Sequence, residues 1–107
     1  MDLHGHSAKK NIFAFGDEHP AGSHAFLVTH ILPKLLNDHI ASFKYDHCVF
    51  RASKQKKNTA RVYLSKKYKI NALTFEQSYG LLDTGSIGVK QWRNFGVALA
   101  NVLKQYY

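Results

Sequence analysis

From Ser23 onward, Phe26, Leu27, His30, Ile31, Leu35 and Leu36 recur at the spacing that gathers side chains on one face of a helix. The stretch Gly16-Asp17-Glu18-His19-Pro20-Ala21-Gly22 before it is turn chemistry, and Ser23 is a good N-cap, so the pattern predicts a helix from about Ser23 to Ile40. Pro33 lacks a backbone donor and is predicted to kink or interrupt that helix. Further along, Cys48-Val49-Phe50 reads as a short strand, and Thr59 caps a short helix running through Lys66 or Lys67. Between Ile70 and Tyr79 the period becomes two. One face carries Ala72, Thr74, Glu76 and Ser78, the other Leu73, Phe75, Gln77 and Tyr79. Gly80, Gly85 and Gly88 mark a loop, after which Trp92, Phe95, Leu99, Val102 and Tyr106 form the stripe of a closing helix. Strands alternating with helices predict an α/β sandwich containing parallel pairs, because a helix crossing between strands covers a sheet face.

At 107 residues, 45% of them hydrophobic, the chain suffices for one small domain, and no internal boundary divides it. Apolar and histidine-rich residues begin at position 2 with no cap or turn before them, which predicts a chain that starts inside a domain. No apolar run is long enough to span a membrane, and the first residues lack the form of a secretory signal, so a soluble, intracellular protein is expected. Cys48 is the only cysteine, which excludes a disulfide within the chain and leaves it the role of a small buried residue. Fifteen Lys and Arg against seven Asp and Glu give a net charge of +8. Much of the excess lies in Lys54, Lys56, Lys57, Arg61, Lys66, Lys67 and Lys69, a run that would attract nucleic acid, acidic membrane surfaces or acidic protein tails if it is more than a solvated face.

Two features carry candidate chemistry. His4 and His6 are two residues apart, so on a strand both rings leave the same face, as a corner of a metal site or as ordinary surface or hydrogen-bonded histidines. No His-Glu-x-x-His or His-x-x-Glu motif occurs, and His19, His24, His30, His39 and His47 lack matching partners and are read as structural or solvent-facing. Glu76, flanked by Leu73, Phe75 and Tyr79, needs a reason to sit there: it is either a general base in a partly dry cleft or the partner of a lysine.

Three ordered segments bear a family resemblance. His4-Gly5-His6-Ser7-Ala8-Lys9-Lys10-Asn11-Ile12-Phe13 resembles the histidine-glycine-histidine-serine signature of the cytosolic carboxypeptidases, a subfamily of zinc metallocarboxypeptidases. Thr59-Ala60-Arg61-Val62 is similar to that family's Thr-Gly-Arg-Val segment, with Ala60 in place of the glycine, and Ile70 to Glu76 looks like the strand bearing its catalytic glutamate. The resemblance implies a partial α/β/α sandwich, a mixed sheet flanked by helices, forming the C-terminal part of one catalytic domain over residues 1–107. It implies that His4 is the last of three protein ligands to a catalytic zinc ion and that His6 lines the cleft. Glu76 would be the base that takes a proton from the attacking water and passes it to the departing amine, and Arg61 would pair with a substrate carboxylate. Substrates would then be acidic C-terminal protein tails, tubulin-like ones among them, cleaved in the cytoplasm by deglutamylation.

The family's His-x-x-Glu ligands, and the Asn and Arg that grip the terminal carboxylate, are absent from these residues, so the chain alone is expected to be inactive. The competing expectation is a noncatalytic basic module binding nucleic acid or acidic tails through Lys54 to Lys69. Arg51 to Val62 has no interleaved aromatic residues, which disfavours base stacking.

Overall fold

The computed structural model describes residues 1–7, 9–51, 59–83 and 85–106. Ala8 of the signature segment, and Lys54, Lys56 and Lys57 of the basic run, lie outside the described residues. The elements in order are β1 (Asp2–His6), β2 (Ile12–Gly16), α1 (His24–His39), a 3-10 turn (Tyr45–His47), β3 (Val49–Phe50), α2 (Ala60–Tyr68), β4 (Thr74–Ser78), β5 (Leu81–Leu82), β6 (Gly85–Ser86) and α3 (Val89–Tyr106).

Four strands form one sheet in the order β1-β4-β2-β3. The pairs β1–β4 and β2–β3 are parallel, and β2–β4 is antiparallel, so the sheet is mixed. β5 and β6 form a separate antiparallel pair, which the glycine-rich reading of that stretch as plain loop had missed.

Alternation along the strands sorts their side chains. Ile12 and Ala14 of β2, with Leu73 and Phe75, turn to one face and pack with Leu32 and Leu36 of α1, Phe43, and Phe95 and Val102 of α3. Edge-to-face contacts run through this core, with ring centroids 6.0 Å apart for Phe43 and Phe75 and 5.9 Å for Phe75 and Phe95. Each fully buried large side chain contributes roughly 1.5–3 kcal/mol of hydrophobic free energy. Phe13 is also buried but belongs to the opposite face, where the candidate chemistry lies.

Local signals fix the helix starts as the sequence indicates. The Ser23 hydroxyl accepts from the Phe26 N–H, and the Thr59 hydroxyl from the Val62 N–H. Pro33 does not interrupt α1, contrary to that part of the expectation. Its missing N–H costs one rung of the ladder, while Leu32, Pro33 and Leu36 are all buried, so packing against the sheet holds the helix together across the gap. In α3 the predicted stripe holds for Phe95, Leu99 and Val102, whereas Trp92 is exposed.

Cys48 is half-buried between β2 and the 3-10 turn. Its sulfur accepts from the Ala14 N–H at 3.2 Å and donates to the Lys44 carbonyl at 3.6 Å. Burial pushes the thiol up to about 11, against the lowering effect of the Ala14 N–H.

Candidate active site

Parallel pairing of β1 with β4 sets the site. His4 is the register partner of Glu76, and His6 that of Ser78. On the other side of β4, antiparallel pairing places Phe13 opposite Glu76. His4, Glu76 and Phe13 thus form one row across three strands, on the face away from the helical core. Neighbouring strands lie about 4.8 Å apart, so an imidazole and a carboxylate at paired positions project side by side. The face expected to carry Thr74, Glu76 and Ser78 does carry them, and β1 brings its histidines to it.

Exposure differs along the row. His4, on the outer strand, is exposed, Glu76 is half-buried and Phe13 is 3% exposed. Among the described residues Glu76 forms no ion pair, so no described lysine accounts for its position. Phe13 is the floor on which the neighbours rest: its centroid lies 4.8 Å from His6, 5.6 Å from Phe15 and 6.5 Å from His47, and the Lys9 ammonium sits 5.2 Å above its ring.

His6 is held by its surroundings. Its Nδ1 accepts from the Lys9 backbone N–H at 3.1 Å, which in the neutral ring leaves the proton on Nε2. Nε2 is itself buried and, among the described residues, has no hydrogen-bond partner. On this face His6 is therefore a ring packed edge-on to Phe13. His47, read from the sequence as structural or solvent-facing, also packs edge-on to Phe13, and among the described residues its Nδ1 is buried without a partner. No motif surrounds it. Only the fold brings it to this face.

Gly5, between the two histidines, lies under Tyr79, whose ring a Cβ at position 5 would overlap. The close approach accounts for glycine between two ring-bearing neighbours.

Arg61 is placed differently. It lies in the first turn of α2, nearly buried, and its guanidinium is ion-paired with Asp17, just past the end of β2. The pair ties α2 to the sheet and engages the group that the resemblance assigns to substrate, beyond Phe13 rather than in the row with Glu76.

A catalytic zinc site needs three protein ligands and an open position. Among the described residues no three His, Cys, Asp or Glu side chains are grouped to hold a cation. His4, exposed beside a carboxylate, fits as one ligand, and the residues present do not make a complete site.

No family model matches the chain. Among curated proteins it is 35% identical to cytosolic carboxypeptidase 2 of Mus musculus over 86 residues, 79% of this chain and 10% of that protein. It is 34% identical to cytosolic carboxypeptidase 3 of Mus musculus over 100 residues, 89% of this chain and 10% of that protein. The fold is similar to a crystal structure of a metallo-carboxypeptidase from Burkholderia cenocepacia, with a TM-score of 0.68 and 11% identity, covering 98% of this chain and 30% of that one. The chain spans about a tenth of the length of the curated relatives it matches. Sequence likeness over most of its length, and a mixed sheet with flanking helices like that of a solved metallo-carboxypeptidase, place the chain in the cytosolic carboxypeptidase family.

Proposed function

We propose that this chain is the C-terminal part of a zinc metallocarboxypeptidase catalytic domain that removes C-terminal residues, glutamate in particular, from acidic protein tails in the cytoplasm. The observation that carries the reading is the register of His4 with Glu76, which puts a metal-ligand type and a general-base type side by side on the open face of the sheet.

His4 would hold one corner of the zinc ion, and the remaining ligands would have to come from residues other than those of this sequence. When bound, the ion supplies Lewis-acid polarisation of the scissile carbonyl. Glu76 takes a proton from the water whose oxygen bonds to that carbonyl carbon, and delivers it to the nitrogen as the C–N bond breaks. Phe13, register partner of Glu76 and packed against the His6 ring, would form an apolar wall beside the reacting groups. Arg61 supports the preference for acidic residues: Asp17 engages one of its guanidinium nitrogens, and a substrate carboxylate would be its second partner. The name of the cytosolic carboxypeptidase relatives supports a cytosolic setting, and no described helix is long and apolar enough to cross a membrane.

Sequencing the transcript upstream of codon 1 is the test. The reading expects a His-x-x-Glu motif followed by an Asn and an Arg in the same frame. A transcript whose reading frame opens at Met1 would overturn the catalytic assignment and leave the carboxypeptidase relationship as ancestry.

A further inference from the structure

The described part of α2 and its C-cap present Tyr63, Lys66, Lys67, Tyr68 and Lys69 to solvent, and no Asp or Glu occurs anywhere from Arg51 to Phe75. Lysines in a last helical turn have an ordinary explanation, because they oppose the negative end of the helix dipole. The tyrosines do not. Tyr63 and Tyr68 are 49% and 55% exposed and meet edge to face at 6.3 Å, and the Lys67 ammonium lies 5.1 Å and 5.4 Å from their ring centroids. That ammonium also donates to the Tyr63 hydroxyl at 2.6 Å. Two exposed aromatic residues are thus spent on fixing one lysine in place, which lowers the entropy cost of using it in a contact.

We propose that this face of α2 is a secondary docking surface for a carboxylate-rich peptide, the acidic tail of the substrate upstream of its cleaved end. The identity of the tail rests on the carboxypeptidase reading; the surface itself rests on charge complementarity. Lysines act as point charges and do not impose bidentate geometry, and Arg61, the one guanidinium on α2, is engaged by Asp17. Such a surface suits a repetitive glutamate tail better than a defined motif. A base-stacking nucleic-acid site would need open ring faces, and here the rings are turned on each other and on Lys67.

The test measures binding rather than cleavage. A fluorescent glutamate decapeptide is titrated into the 107-residue chain, with a glutamine decapeptide and a single-stranded oligonucleotide as comparisons. Binding of the glutamate peptide alone is expected, weakening steeply with salt and about tenfold on Lys66→Glu with Lys67→Glu. Tyr63→Ala with Tyr68→Ala, which keeps every charge, is expected to weaken it severalfold. All four positions are solvent-exposed, and circular dichroism checks that each variant keeps the fold. Equal affinity for the glutamine peptide, tighter binding of the oligonucleotide, or unchanged binding by the charge-reversed variant would each overturn the proposal. None of these outcomes bears on Glu76, so the docking surface and the catalytic reading stand or fall separately.

Discussion

Glu76 stands opposite His4 across the parallel β1–β4 pair, with Phe13 opposite it on the antiparallel side. Backbone pairing creates this relationship, so it does not depend on what the Glu76 side chain bonds to. Since Glu76 forms no ion pair among the described residues, Glu76→Gln should change stability by no more than about 0.5 kcal/mol. In a polypeptide that carries the complete ligand set, the same change should lower kcat about 100- to 10,000-fold. Urea melts alongside turnover of a glutamate-ended peptide check both halves. A large stability loss would make Glu76 a structural residue.

Gly5 is the second test of the β1 geometry. A methyl group there meets the Tyr79 ring, but Tyr79 is 69% exposed and has room to swing away. Gly5→Ala should therefore cost about 0.5–1.5 kcal/mol rather than unfold the protein. Tyr79→Ala should remove most of that penalty. Chemical denaturation of both single variants and the double variant measures the coupling, and strict additivity would show that the ring does not govern this position.

The sequence made local signals legible and left long-range ones hidden. Ser23 and Thr59 mark their helices because capping involves neighbours three residues away, and Glu76 could be assigned its face from period-two alternation alone. The pairing of His4 with Glu76 joins residues far apart in the sequence, and no local pattern encodes which strand lies beside which. The same reason hid His47, brought to Phe13 by the turn before β3, and Asp17, whose pairing with Arg61 depends on where α2 settles. Pro33 shows the converse, a strong local signal overridden by burial of the residues around it.

Arg61 and Asp17 form a pair with little solvent around it, their side chains 10% and 21% exposed. Removing one partner strands the other, so Arg61→Ala and Asp17→Ala should each cost about 1–3 kcal/mol. The double variant should cost less than the two single losses added together. Arg61→Lys should recover only part, since an ammonium lacks the planar donor array. Thermal melts of the cycle decide whether Arg61 is chiefly a structural residue.

Asn11 adopts a left-handed conformation, φ 67°, while fully buried. Its side chain donates to the Asp83 carboxylate at 2.9 Å and accepts from the Asp83 backbone N–H at 2.9 Å, pinning the turn between β1 and β2 to the end of β5. Asn11→Ala loses both bonds and keeps the strained φ, at a cost of about 2–4 kcal/mol. Asn11→Gly should cost less, because only the bonds are lost. Asn11→Asp sets two carboxylates against each other, so its stability deficit at neutral pH should shrink as pH falls through the carboxylate range. A deficit independent of pH would mean that Asp83 does not face position 11.

His30 supplies the acid-side prediction. Its ring stacks on Phe26 at 4.2 Å and lies 3.8 Å from the Phe50 ring, with Nδ1 2.6 Å from the Tyr45 hydroxyl. Burial, assisted by Lys34 and His19, holds its pKa below the ordinary histidine value, while burial raises that of Tyr45 and keeps the phenol protonated. The neutral imidazole is then the acceptor and the phenol the donor. Because the unfolded chain takes up a proton near pH 6.5 that the folded site resists, the unfolded state binds more protons below that pH. This contribution to stability is fully present above about pH 6.5 and is lost as pH falls through the depressed folded value. His30→Phe keeps the apolar stacking and gives up the Tyr45 bond, so it should lose about 0.5–1.5 kcal/mol at pH 7.5. Its stability should also fall less steeply between pH 6.5 and 5, so the two melting curves converge on acidification; parallel curves would show that His30 is not the group that titrates.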